Sequence, residues 1–82
     1  MVFRDLYFSQ NNSSQNLLTA IATDGLASSV LSGDFLRRHS LTATSSVRAA
    51  LKVLLDADLV YRTEQGYVIY DRIFGEWLRR KA

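Results

Sequence analysis

The apolar positions change their period several times along the chain. In the first twelve residues Val2, Phe3, Leu6, Tyr7 and Phe8 cluster, and the spacing of Phe3, Leu6 and Tyr7 suits a helical turn or, equally, a short extended piece. The polar run 9–14 ends that pattern. Leu17, Leu18, Ile21 and Ala22 then form one stripe, which predicts a helix over 14–23. Asn12 and Gln15 stand at capping-box spacing, Ser13 and Ser14 are alternative caps, and Gly25 sits where a helix end favours a left-handed residue. Residues 26–31 read as a short extended connector. Ser32 is a natural N-cap for a second helix of about seven residues, with Asp34 in its first turn. Phe35 and Leu36 are its candidates for burial, and Arg37, Arg38 and His39 suit the negative end of the helix dipole. After a tight turn at 39–42, a third helix over 43–57 is capped by Thr42 or Thr44. It turns Val47, Ala50, Leu51, Leu54 and Leu55 to one side and Ser45, Arg48, Ala49, Lys52 and Asp56 to the other.

Residues 59–63 and 67–71 are rich in β-branched and aromatic side chains and predict two strands. Glu64-Gln65-Gly66 between them suits a three-residue hairpin loop with Gly in the left-handed position. That loop sets Thr63 opposite Tyr67 and Tyr61 opposite Ile69. Both faces of the hairpin carry apolar side chains, so both are expected to be partly covered. Asp71 caps a last helix over 72–80, with Ile73, Phe74, Trp77 and Leu78 on one face and Arg79, Arg80 and Lys81 as a solvated basic end.

The order is helix, connector, helix, tight turn, helix, hairpin, helix. Two helices joined by a short turn form a helix-turn-helix, and a hairpin directly after them supplies a wing. The predicted fold is α+β, mainly α: a winged helix-turn-helix with a three-helix core, a C-terminal two-stranded β-hairpin wing and a final helix. With 82 residues there is room for one small domain. Its expected extent is 13–82, with 1–12 as a linker or N-terminal extension. Hydrophobic residues at 48% and charged residues at 22% fit an ordered globular chain.

Composition narrows the chemistry. The absence of cysteine removes disulfides, thiolate catalysis and cysteine-ligated metals, and the single histidine, His39, cannot build a histidine-rich metal site or a Ser-His-Asp triad argued from sequence. None of the four glycines opens a P-loop. The acids fall mostly at helix caps, turns and solvent faces, so catalysis by this chain is not expected. No apolar run approaches the ~18 residues of a membrane span, and the first residues lack the apolar stretch of a signal peptide. A cytoplasmic location and no membrane partner are the expectation.

A series of pieces carries a family resemblance. These are Gln15-Asn16-Leu17-Leu18-Thr19-Ala20-Ile21-Ala22, Phe35-Leu36, Thr44-Ser45-Ser46-Val47-Arg48-Ala49-Ala50-Leu51, 54–61, Gly66-Tyr67-Val68-Ile69-Tyr70-Asp71, Phe74 and Trp77-Leu78-Arg79. In that order and spacing, 14–80 resembles the C-terminal winged-helix domain of prokaryotic and archaeal-type AAA+ ATPases, related to origin-recognition ATPases. Family members often carry Pro near positions 42 and 72, where this chain has Thr42 and Arg72. The resemblance implies a fragment of a larger ATPase. The nucleotide-binding domain would lie upstream with its ATP and Mg, and 1–12 would be the linker leaving it, so no cofactor is expected in this chain.

Two functional readings follow. In the first, the third helix enters duplex DNA with Thr44, Ser45 and Arg48 at the groove and Lys52 one turn on, while Arg62 and Gln65 near the wing tip meet the backbone. Arginine can pair bidentately with guanine, and Thr or Ser with bases or phosphate. The same helix face also suits an ordinary solvated surface, and Glu64 at the tip repels phosphate. A net charge of +2 is too small to decide the matter. In the second, the module is a non-catalytic regulatory contact, to a partner protein or to its own ATPase domain, through Tyr61, Tyr67 and Tyr70 on the hairpin. No helix is left over for dimerisation, which argues against a self-standing transcription factor.

Overall fold

A computed structural model describes residues 3–41 and 44–81. Among them the order is α1 (Phe3–Phe8), α2 (Asn12–Asp24), α3 (Gly33–Arg38), α4 (Thr44–Asp56), β1 (Val60–Thr63), β2 (Gly66–Ile69) and α5 (Arg72–Lys81). This is the expected mainly helical chain with one antiparallel hairpin and a final helix, a winged-helix architecture.

Each helix begins and ends for a local reason. Asn11, not Asn12, caps α2: its side-chain oxygen accepts from the Ser14 N–H at 2.9 Å. With the cap one residue earlier, Gln15 is displaced from the capping-box position, and its amide donates instead to the Gln10 carbonyl at 2.8 Å. Gly25 closes α2 at φ 77°, its N–H reaching the Ile21 and Ala22 carbonyls. Ser32 caps α3 by accepting from the Phe35 N–H at 3.1 Å. Asp71 caps α5 by accepting from the Ile73 and Phe74 N–H groups at 2.9 and 3.2 Å. Thr42, one expected cap of α4, lies outside the described residues, and Thr44 is the first residue inside that helix.

The ends of α3 and α4 share one device. Ser40 at φ 56° donates to Arg37 and the following Leu41 donates to Leu36, while Asp58 at φ 60° donates to Leu55 and the following Leu59 to Leu54. Both are Schellman motifs with a non-glycine residue in the left-handed position.

The core forms around α2. Leu17, Leu18 and Ile21 are fully buried against Phe35 of α3, Leu54 of α4, Val60 of β1, and Phe74 and Leu78 of α5. Residues 3–8, read in the sequence as linker or extension, form a helix docked on α5. The Phe3 ring lies 5.3 Å from Phe74, and the Tyr7 ring 5.7 Å from Trp77. On α5 the buried stripe is Phe74, Gly75 and Leu78. Ile73, expected in that stripe, is 66% exposed, because one residue is a 100° turn of the helix and carries it off the side facing α2.

The hairpin register differs from expectation by one residue. The pairs are Val60 with Ile69, Tyr61 with Val68, Arg62 with Tyr67 and Thr63 with Gly66, so the loop is only Glu64-Gln65. The Thr63 hydroxyl accepts from the Gln65 and Gly66 N–H groups and donates to the Gly66 carbonyl, which fastens the shorter turn. Gly66 is drawn into the strand by the connector. Ala27 and Tyr67 exchange backbone hydrogen bonds at 2.9 and 2.8 Å, so 26–31 contributes a single paired residue alongside β2. A one-residue slip turns each side chain to the other face. Tyr61 therefore stands opposite Val68, away from the buried Val60 and Ile69.

Gly75 offers a test of the packing between α5 and the hairpin. A β-carbon there would meet Ile69 at 3.6 Å, an ordinary contact. Gly75→Ala is expected to stabilise the domain by about 0.5–1 kcal/mol through helix propensity. A rise of several degrees in thermal midpoint checks this, and a fall would mean that the hairpin sits closer to α5 than described.

Candidate nucleic-acid interface

α4 is fixed by its apolar stripe. Val47, Ala50, Leu51 and Leu54 are buried against the core, so the remaining side must face outward. Thr44, Ser45, Arg48 and Lys52 are all exposed there. At 100° per residue Ser45, Ala49, Lys52 and Asp56 hold the middle of that face, Thr44 and Arg48 share one flank, and Ser46 and Val53 share the other. Among the described residues Arg48 makes no ion pair. Lys52 does: its ammonium donates to Asp56 at 3.1 Å, both side chains being exposed. The positive charge of this face therefore centres on Arg48.

The wing leaves from the C-terminal end of α4, where Leu59 donates to the Leu54 carbonyl. Arg62 and Gln65 are exposed towards the hairpin tip, with Glu64 between them in sequence. They line a shallow cleft of about 200 Å³ together with Ser28 and Ser29 of the connector. The structure thus gathers Thr44, Ser45, Arg48 and Lys52 on one helix face and puts Arg62 and Gln65 on a separate hairpin tip of mixed charge.

The three tyrosines do not form one surface. Tyr61 and Tyr70 stand edge-to-face at 5.8 Å on the outer side of the hairpin, 45% and 68% exposed. Tyr67 pairs with Arg62 on the opposite side and is half-buried against the core. Side chains alternate along a strand, and the observed register separates position 67 from 61 and 70.

Within the basic spot at 37–39, Arg38 and His39 are held by acids. The Arg38 guanidinium binds Asp24 at 3.2 Å and Asp34 at 3.1 Å, and these hydrogen bonds, Asp24 first, raise its pKa above the ordinary arginine value. The His39 Nε2 lies 3.0 Å from Asp24. The clasp ties the end of α2 to the end of α3, the start of the helix-turn-helix. Sequence reasoning did not single out Asp24, although a signal exists. An acid in the last turn of a helix opposes the dipole and calls for a cationic partner.

The basic residues at 79–81 are all exposed, as expected of a solvated end, and their side chains also make contacts. Arg79 donates to the Ala22 carbonyl at 2.9 Å, Arg80 pairs with Glu76 at 3.6 Å, and the Lys81 ammonium lies 4.6 Å from the Tyr7 ring centre. α5 packs along α2, which brings Arg79 to the carbonyl end of α2, where the Ala22 oxygen accepts from it as well as from the Gly25 N–H. Among the described residues no group of three or more acidic or histidine side chains could hold a metal ion, and no helix is long and apolar enough to cross a membrane.

A family model described as "Probable winged helix domain" matches residues 1–80. The chain belongs to this winged helix domain family. Comparison with curated proteins and with solved structures finds no significant match. In winged-helix terms, α3 and α4 are the helix-turn-helix, α4 holds the recognition position, and β1–β2 is the wing. The connector residue Ala27 is the rudiment of a third strand in this winged helix domain.

Proposed function

We propose that this winged helix domain binds duplex DNA, with α4 laid in the major groove and the hairpin tip on the flanking backbone. The observation that carries the proposal is the exposed face of Thr44, Ser45, Arg48 and Lys52, on which Arg48 has no carboxylate partner among the described residues. Small hydroxyl side chains in the first turn let a helix end approach base edges, and an arginine one turn on can reach guanine or phosphate. Lys52 remains usable. An exposed lysine–carboxylate pair contributes at most about 1 kcal/mol, which a phosphate can replace. Arg62 and Gln65 add backbone contacts, and Glu64 limits their strength.

The finer assignment rests on the resemblance of 14–80 to the C-terminal domains of AAA+ ATPases. In that reading the domain is the non-catalytic, DNA-contacting end of a larger cytoplasmic ATPase. An upstream domain of that protein holds ATP and Mg, and this chain takes no cofactor. Residues 1–12 lead from that domain into α2.

The test is fluorescence anisotropy with a labelled mixed-sequence duplex across a salt series. Arg48→Ala/Lys52→Ala is expected to weaken binding about tenfold at ~50 mM salt and to flatten the logarithmic salt dependence by about two, one for each lost phosphate-range cation. Equal affinity and slope in the wild type and the variant would remove α4 from the interface.

A further inference from the structure

A second cleft lies on the other side of the wing, between the outer face of the hairpin and α5. Its volume is about 280 Å³, many times the ~30 Å³ share of one liquid water, and Tyr61, Val68, Tyr70, Arg72, Glu76 and Arg79 line it. Two features set it apart. The first is the tyrosine pair. With rings edge-to-face at 5.8 Å and both residues exposed, the pair leaves an aromatic face open to a planar ligand. The second is unspent positive charge. Arg72 makes no ion pair among the described residues. Arg79 is held in place by the Ala22 carbonyl rather than by a carboxylate, so its guanidinium keeps its full charge and most of its donors. The acid in the cleft, Glu76, pairs with Arg80.

We propose that this cleft binds a single-stranded oligonucleotide, a base stacking on the more exposed ring, Tyr70, which Tyr61 braces at 81°, and the adjoining phosphates meeting Arg72 and Arg79. Open aromatic faces beside guanidinium groups match the alternation of ring and anion along an unpaired strand, and base stacking of this kind tolerates any sequence. A protein partner fits less well, because the aliphatic residues on the cleft wall, Ala22, Val68 and Ile69, are buried or half-buried and offer little apolar area. The site is independent of α4 and is served by different residues. Its success or failure is therefore separable from that of duplex binding.

The experiment is anisotropy of a labelled oligothymidylate of about ten nucleotides, within the range of single-strand site sizes, at ~50 mM salt. Saturable binding is expected. Tyr61→Ala/Tyr70→Ala should weaken it at least tenfold. Arg72→Gln, at an exposed position where folding is not at stake, should weaken it about threefold, and Arg48→Ala/Lys52→Ala should leave it unchanged. Circular dichroism melts establish that each variant is folded. No saturable binding overturns the proposal and leaves the tyrosines to a protein contact. Undiminished binding in the tyrosine and Arg72 variants overturns it as well, and loss in the Arg48/Lys52 variant instead would move the strand to α4.

Discussion

Gly66→Ala is expected to cost the domain about 3 kcal/mol or more and to detach the wing from the connector. A β-carbon at this position would lie 2.3 Å from the Ala27 carbonyl oxygen and 2.7 Å from the Ser28 α-carbon. Both are backbone atoms and cannot turn aside as a flexible side chain would. The φ of 146° is also a region that alanine rarely occupies. Strain of this kind costs about 1–3 kcal/mol. Relieving it by moving the hairpin sacrifices the two hydrogen bonds between Ala27 and Tyr67, each worth about 0.5–1.5 kcal/mol. Against a total stability of about 5–15 kcal/mol this is a large fraction. Urea denaturation should show a midpoint well below that of the wild type. Amide exchange should accelerate at Ala27 and along β2 before it does in α2. An unchanged midpoint would mean that the approach of Gly66 to Ala27 is not a constraint of the fold.

Phe74→Ala should be as damaging for a different reason. The ring is 1% exposed, packs at 5.3 Å from Phe3 and 6.0 Å from Trp77, and helps join α1 and α5 to the core around α2. Truncating a buried phenylalanine costs about 3–5 kcal/mol, and a domain of this size loses roughly 4–8 °C of melting temperature per kcal/mol. The expected drop therefore exceeds about 12 °C. Ile73→Ala, next in the chain but 66% exposed, should stay within about 0.5 kcal/mol of the wild type. The contrast between neighbours checks which face of α5 is buried. Equal losses at both positions would contradict the described packing.

These two sites also mark where the sequence stops being legible. The stripes on α2 and α4, the caps at Ser32 and Asp71 and the existence of a hairpin all follow from spacings within a few residues. They could be read directly. The exposure of Thr44, Ser45, Arg48 and Lys52 follows in the same way from the burial of Val47, Ala50, Leu51 and Leu54. The hairpin register could not be read locally, because it is decided by the fit of Gly66 against Ala27, which is remote in the chain. The division of the tyrosines, with Tyr67 inward and Tyr61 and Tyr70 outward, depends on that register. The docking of α1 rests on Phe3 meeting Phe74, and the capture of Arg79 rests on α5 lying along α2. Both are tertiary events with no signature in periodicity. Ile73 shows the same limit on a smaller scale, since an apolar residue beside a buried stripe looks like part of it until the helix is oriented.

In the proposed function, α4 and the wing tip form the face that meets duplex DNA. The most direct test is an NMR titration of the isotope-labelled chain with a mixed-sequence duplex, following backbone amides. Shifts are expected to concentrate at 44–53 and 62–65, with the Arg48 side-chain signal moving strongly and the buried α2 amides staying in place. Shifts confined to the outer hairpin face and α5, or no shifts at low salt, would contradict it.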